Sequence, residues 1–275
     1  MLARSPIPEP LAQGTVRPGQ IIFLFLAIFA VTGVFAYKVT VSAAPDFRHA
    51  AMELVAHTSA VLLIAFLTIA VPELRRSIPA LYSRRGESLH AADVLVFLAV
   101  MLTWAYGAHR FLVFYPALRW KPELFSLAGY VAQVPEISPI YWFLWLVSVG
   151  IMAPFAEELL FRGYLLNLWR NRFGLWPAIL LSSLAFGLIH AQAAIFAFVC
   201  GVFYALAYLK YGSLWPATLL HGLYNVVSTP VWFGYLILVK DKARVGEISS
   251  WVPEIALTIA FFPLLVLFWR RFRPA

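Results

Sequence analysis

Residues 153–169 read APFAEELLFRGYLLNLW, an apolar run with Glu157, Glu158 and Arg162 in its middle. Whether those charges are ordinary or costly depends on the solvent around the run, and the composition decides that. Of 275 residues, 62% are hydrophobic and 12% charged, where a soluble domain carries roughly 25% charged residues. A membrane span needs about 20 mostly apolar residues, and stretches 19–37 and 54–72 supply them without a Lys, Arg, Asp or Glu. The uncharged stretch 173–209 is too long for one span and must fold back. The chain therefore reads as an all-α polytopic membrane protein of about eight transmembrane helices, with its polar residues enclosed in a cavity inside the bundle.

The expected spans fall near 19–40, 52–72, 93–114, 138–156 (running on toward 169), 174–190, 194–210, 213–230 and 252–269. They divide the chain into a flexible tail (1–18), N-terminal transmembrane helices with an interfacial loop (19–137), a transmembrane core (138–230), and a loop with the last span (231–275). Loop 73–90 carries Arg75, Arg76, Arg84 and Arg85, a positive-inside mark. Alternation from that loop puts both termini on the cytoplasmic side of the cytoplasmic (inner) membrane. The net charge of +8 sits in short loops and at the tail rather than on one clustered face, which excludes a nucleic-acid surface. The lipid bilayer is the partner that remains. Cys200 is alone, so no intrachain disulfide forms.

A short echo recurs: FGLWPAILL at 173–181 and YGSLWPATLL at 211–220. Each follows basic residues, and Pro is tolerated in a first helical turn because its missing N–H is not needed there. The two read as similar interfacial helix starts, leading to His190 and His221.

A charged group at a span's centre costs roughly 2.5–3.5 kcal/mol, so such residues are paired or face a wet interior. Glu158 and Arg162 are four apart and share a helix face. Glu157 is turned about 100° away by the 3.6-residue period and has no partner on its own helix. His221 and Asn225 are also four apart. Pro154 loosens the helix just before the glutamates, and Gly163, Gly187 and Gly222 would leave room for water. The chemistry open to this set is peptide hydrolysis. Glu157 and His190 would activate a catalytic water. His221 and Asn225 would donate to the tetrahedral oxyanion. No cofactor is needed beyond that water, and the substrate would be a membrane-associated protein or peptide.

Glu157-Glu158-x-x-x-Arg162, then Phe186-x-x-x-His190, then His221-x-x-x-Asn225, resembles the three-motif signature of the CAAX protease and bacteriocin-processing family, also called the ABI family. These are glutamic-type intramembrane endopeptidases that include the type II CAAX prenyl endopeptidases. The resemblance covers residues 153–225. It implies that Glu157 and His190 are catalytic, that His221 and Asn225 form the oxyanion site, and that Glu158 and Arg162 are a supporting pair.

Two other readings compete. Glu157, His190 and His221 amount to a His₂Glu zinc set with a water in the fourth position. The chain has no H-E-x-x-H, and zinc would consume the oxyanion groups. Intramembrane Glu and His also serve proton relays, as in a non-catalytic transport or immunity protein. The sequence offers no matched pair of interrupted helices to mark an inverted-repeat transporter.

Overall fold

The computed structural model describes residues 68–83, 88–116, 139–190, 193–239 and 251–274, with scattered positions between 11 and 66. Among them every regular element is helical. Four helical stretches are long and apolar enough to cross a membrane: Ala91–Val113, Phe143–Phe173, Ala194–Tyr211 and Val252–Phe272; Leu175–Ile189 is apolar but shorter. The expected first span and the interfacial piece at 115–138 lie largely outside the described residues.

In chain order the helices are α1 (Pro72–Tyr82), α2 (Ala91–Thr103, continued by π segments Trp104–Ala108 and Arg110–Phe114), and α3. The last is a relay of Pro139–Val147, Ser148–Met152, Ala153–Glu158, Leu159–Leu166 and Asn167–Phe173, in which the second and fourth pieces are π-helical. Then come α4 (Leu175–Ile189), α5 (Ala194–Tyr211), α6 (Leu214–Val239) and α7 (Val252–Phe272). Packing divides the chain into two units, 1–89 with 138–223 and 274–275, and 90–137 with 224–273.

The expected loop 73–90 begins instead as a helix. In α1, Pro72 opens the first turn, and Leu74, Ser77 and Leu81 are buried along one stripe while Arg75 and Arg76 stay exposed. Three small turns of amphipathic helix carry too little hydrophobicity to register as a span. Helix α6 runs to Val239, past the expected end near 230.

Within the first unit, α3 owes its π turns to its sequence. Pro154 has no N–H to give the carbonyl of Gly150 and its ring crowds that turn; the preceding Ser148–Met152 turn is π-helical, a widening that relieves the crowding. The Gly150 carbonyl, which Pro154 cannot bond, faces Gly222 of α6, where an added Cβ would run into its oxygen. At Gly187 a Cβ would lie 2.6 Å from the Ala194 carbonyl oxygen, and at Gly163 it would press on Leu159, Leu214 and Leu81. The space beside these glycines is thus filled by neighbouring helices rather than held for water. They are packing glycines, the usual means by which membrane helices approach closely.

The two echoed motifs share one local geometry. Gly174 (φ 85°) and Gly212 (φ 60°) both take positive φ and end the preceding helices. Their N–H groups bond the carbonyls of Arg170 and Tyr208. A side chain there would be strained.

The second unit is built on α2 and α7. A Cβ at Gly107 would collide with the Leu257 backbone at 2.6 Å, and Phe97, Phe268 and Phe272 form a ring cluster.

Candidate active site

The site is assembled within the first unit from α3, α4, α5 and the first turns of α6. Arg162 and Glu158 are fully buried, and Arg162 Nη1 donates to Glu158 Oε1 at 3.0 Å. Nη2 donates to the Gly201 carbonyl at 2.9 Å. The guanidinium also lies over the rings of Phe186 (4.6 Å), Tyr204 (5.3 Å) and Phe161 (5.9 Å). A planar, weakly hydrated guanidinium suits such a cage where an ammonium would not. Gly201 is needed twice. It lets α5 touch Ser183 of α4, with an added Cβ only 3.0 Å from the Ser183 Cα, and it presents its carbonyl to Arg162.

Glu158 Oε1 has a second partner, His221 Nδ1 at 2.9 Å. A carboxylate only accepts, so Nδ1 carries the proton. The His221 ring is stacked on Tyr204, with centroids 4.1 Å apart and planes 18° from parallel. Its other nitrogen, Nε2, lies 3.8 Å from Glu157 Oε2. That separation is too long for a direct hydrogen bond and suits a group held between them. Glu157 keeps 16% of its side chain exposed, whereas Glu158 keeps none. The four residues thus form one line, Arg162–Glu158–His221–Glu157, with the partly exposed carboxylate at its end. The line is electrically neutral when one proton is shared between His221 and Glu157.

His190 caps α4, and its Nδ1 donates to the Phe186 carbonyl at 2.7 Å. The neutral ring therefore presents Nε2 as an acceptor. Its ring lies 4.5 Å from that of Phe186, which in turn lies 6.0 Å from the His221 ring. Both imidazoles rest on one phenyl group. Asn225 is one turn beyond His221 on α6 and half-buried.

The residues brought together are therefore Glu157, Glu158, Arg162 and His221. The sequence paired Glu157 with His190. In the structure the Glu157 carboxylate lies 3.8 Å from His221, and Glu158 holds that histidine as well as Arg162. Sequence reasoning missed Tyr204, whose ring packs on both His221 and Arg162, and Asn167. The latter sits where the π segment Leu159–Leu166 ends. Its amide donates to the carbonyls of Arg162 (3.0 Å) and Gly163 (2.8 Å) and to Tyr208 Oη (2.9 Å). A π turn misaligns the carbonyls around it, and a buried amide can satisfy them. The signal was present: Asn167 is a polar residue inside an apolar run. Among the described residues no group of three or more His, Cys, Asp or Glu is placed to hold a metal ion. A zinc set of Glu157, His190 and His221 does not fit that arrangement.

Residues 139–227 match the family model Type II CAAX prenyl endopeptidase Rce1-like. Over those residues the chain carries a domain of this peptide-hydrolase family. The match encloses all six site residues read from the sequence. A curated Escherichia coli protein described as "Uncharacterized 24.3 kDa protein" is 35% identical over 85 residues, which is 28% of this chain. The aligned part spans 39% of that relative's length. No solved structure matches the chain.

Proposed function

We propose that this chain is a metal-independent intramembrane endopeptidase that cleaves a peptide bond in a membrane-associated protein or peptide. The supporting observation is the line Arg162–Glu158–His221–Glu157, fully buried at one end and partly exposed at the other.

Glu157 takes a proton from a water, with His190 Nε2 accepting a hydrogen bond from that same water. The hydroxide oxygen attacks the scissile carbonyl carbon. The carbonyl oxygen becomes an oxyanion and accepts from His221 Nε2–H and from the Asn225 amide. Glu158 holds the protonated Nδ1 of His221, leaving Nε2 to face the substrate, and the stacked Tyr204 ring fixes the plane of the imidazole. Glu157 then gives its proton to the amide nitrogen. The C–N bond breaks, leaving a carboxylic acid and an amine. Water activation by a positioned base contributes typically 10²–10⁴-fold, and each oxyanion donor about 10²–10³-fold.

The same reading sets the site inside a bundle of about eight spans with both termini in the cytoplasm, an orientation supported by the arginines at 75, 76, 84 and 85. Purified full-length protein in bilayer nanodiscs, given a library of internally quenched peptides, tests the function. Cleavage should survive a zinc chelator and vanish in Glu157→Gln. Cleavage lost to the chelator and restored by zinc would replace the water mechanism with a metal one.

A further inference from the structure

The end of α1 brackets the buried glutamate. Leu81 approaches α3 at Gly163, where an added Cβ would lie 3.3 Å from Leu81 Cδ1. Tyr82 stacks on Phe155 of α3, with centroids 5.6 Å apart and planes 15° from parallel. It also meets Trp215 of α6 edge-on at 5.2 Å. Phe155 precedes Glu158 by three residues, so the two are neighbours on one helix face. Trp215 precedes His221 on α6. Tyr82 therefore lies against the two helices that the Glu158–His221 bond joins.

Its hydroxyl is buried and has no hydrogen-bond partner among the described residues, and the same holds for Glu158 Oε2 and for Thr218 Oγ1, midway between Trp215 and His221 on α6. Burial first, then Tyr164, then Glu158, push the Tyr82 phenol well above its ordinary range. Its proton is therefore retained and available to donate. A buried donor and a buried acceptor on packed helices, each without a partner, are the usual setting of a structural water.

We propose that Tyr82 is a positioning residue of the hydrolytic site. Through one water, its hydroxyl donates to Glu158 Oε2, and this fixes the carboxylate that holds His221. The kinetic consequence rests on the endopeptidase reading above; the contact itself does not. Helix α1 thereby becomes part of the site although it carries none of the three motifs.

The test uses full-length protein in nanodiscs and the quenched-peptide library. Tyr82→Phe keeps the ring stack and removes only the hydroxyl. A hydrogen bond to a charged group corresponds to about tenfold to a hundredfold. The expected result is a fall in kcat of about tenfold, with KM and thermal midpoint unchanged. In a Glu158→Gln background the further effect of Tyr82→Phe should vanish, because the two act through one contact. Independently of any substrate, the ring-labelled tyrosine resonance that disappears in Tyr82→Phe should shift in Glu158→Gln. Cleavage lost in Glu157→Gln but undiminished in Tyr82→Phe overturns this inference alone. Cleavage retained in Glu157→Gln overturns the endopeptidase reading and with it the kinetic role. A resonance unmoved by Glu158→Gln overturns the contact itself.

Discussion

Each unit of the molecule buries an acid against an arginine, and the two pairs are solved differently. In the second unit, Asp93 in the first turn of α2 accepts from Arg271 in the last turn of α7 at 2.7 Å. Both charges stand where helix dipoles favour them, and Arg271 keeps 39% of its side chain exposed. In the first unit, Glu158 and Arg162 lie far from either end of α3, fully buried. They need three aromatic rings, a glycine carbonyl and a histidine to be held there. The first arrangement follows from local helix electrostatics and asks for no further purpose. The second costs much more to build, and its outcome is an imidazole aimed at a second carboxylate.

Substitutions sharpen or break that contrast. Glu157→Gln, at the partly exposed end of the line, should lower peptide cleavage by about 10²–10⁴-fold or more with normal folded yield. A variant cleaving at the wild-type rate would reduce the first unit's cluster to another structural pair. Arg162→Ala removes the partner of a fully buried carboxylate, a change of about 3–5 kcal/mol in stability. Thermal unfolding in detergent should register it as a marked loss of folded protein, and an unchanged midpoint would deny the pair its role. Asn225→Ala removes one oxyanion donor, about 10²–10³-fold in kcat, and should leave measurable turnover. Complete loss of activity in a folded variant would assign Asn225 to more than charge stabilisation. The smallest effect belongs to the second unit. Arg271→Ala should cost less stability than Arg162→Ala, since Arg271 is partly solvated and Asp93 keeps the favourable dipole of its own helix, and should leave cleavage unaltered. If it instead rivals Arg162→Ala, the contrast between the two pairs collapses.

The glycines offered one lesson about reading sequence. Pro154 with Gly163, Gly187 and Gly222 suggested loosened helices with room for water. In the structure those positions are where helices touch most closely, down to Gly222 on the carbonyl of Gly150. A missing side chain signals close approach, and the sequence does not say whether a solvent molecule or another backbone arrives. Helix α1 was illegible for a related reason. Its buried stripe of Leu74, Ser77 and Leu81 is too brief for a hydropathy window, and its arginines made it look like a loop.

The sequence by itself determined the helical, membrane-suited class, because apolar length is a local property. It also determined the Glu158–Arg162 pair, because residues four apart share a helix face. The helix starts at Leu175 and Leu214 followed from the echoed Leu-Trp-Pro-Ala settings. Only the tertiary structure decided which imidazole meets which carboxylate. His221 lies 63 residues from Glu158, and no periodicity carries across that gap. Its place is set by Gly222 packing on α3, by the Tyr204 ring beneath it, and by a carboxylate that accepts from two donors at once.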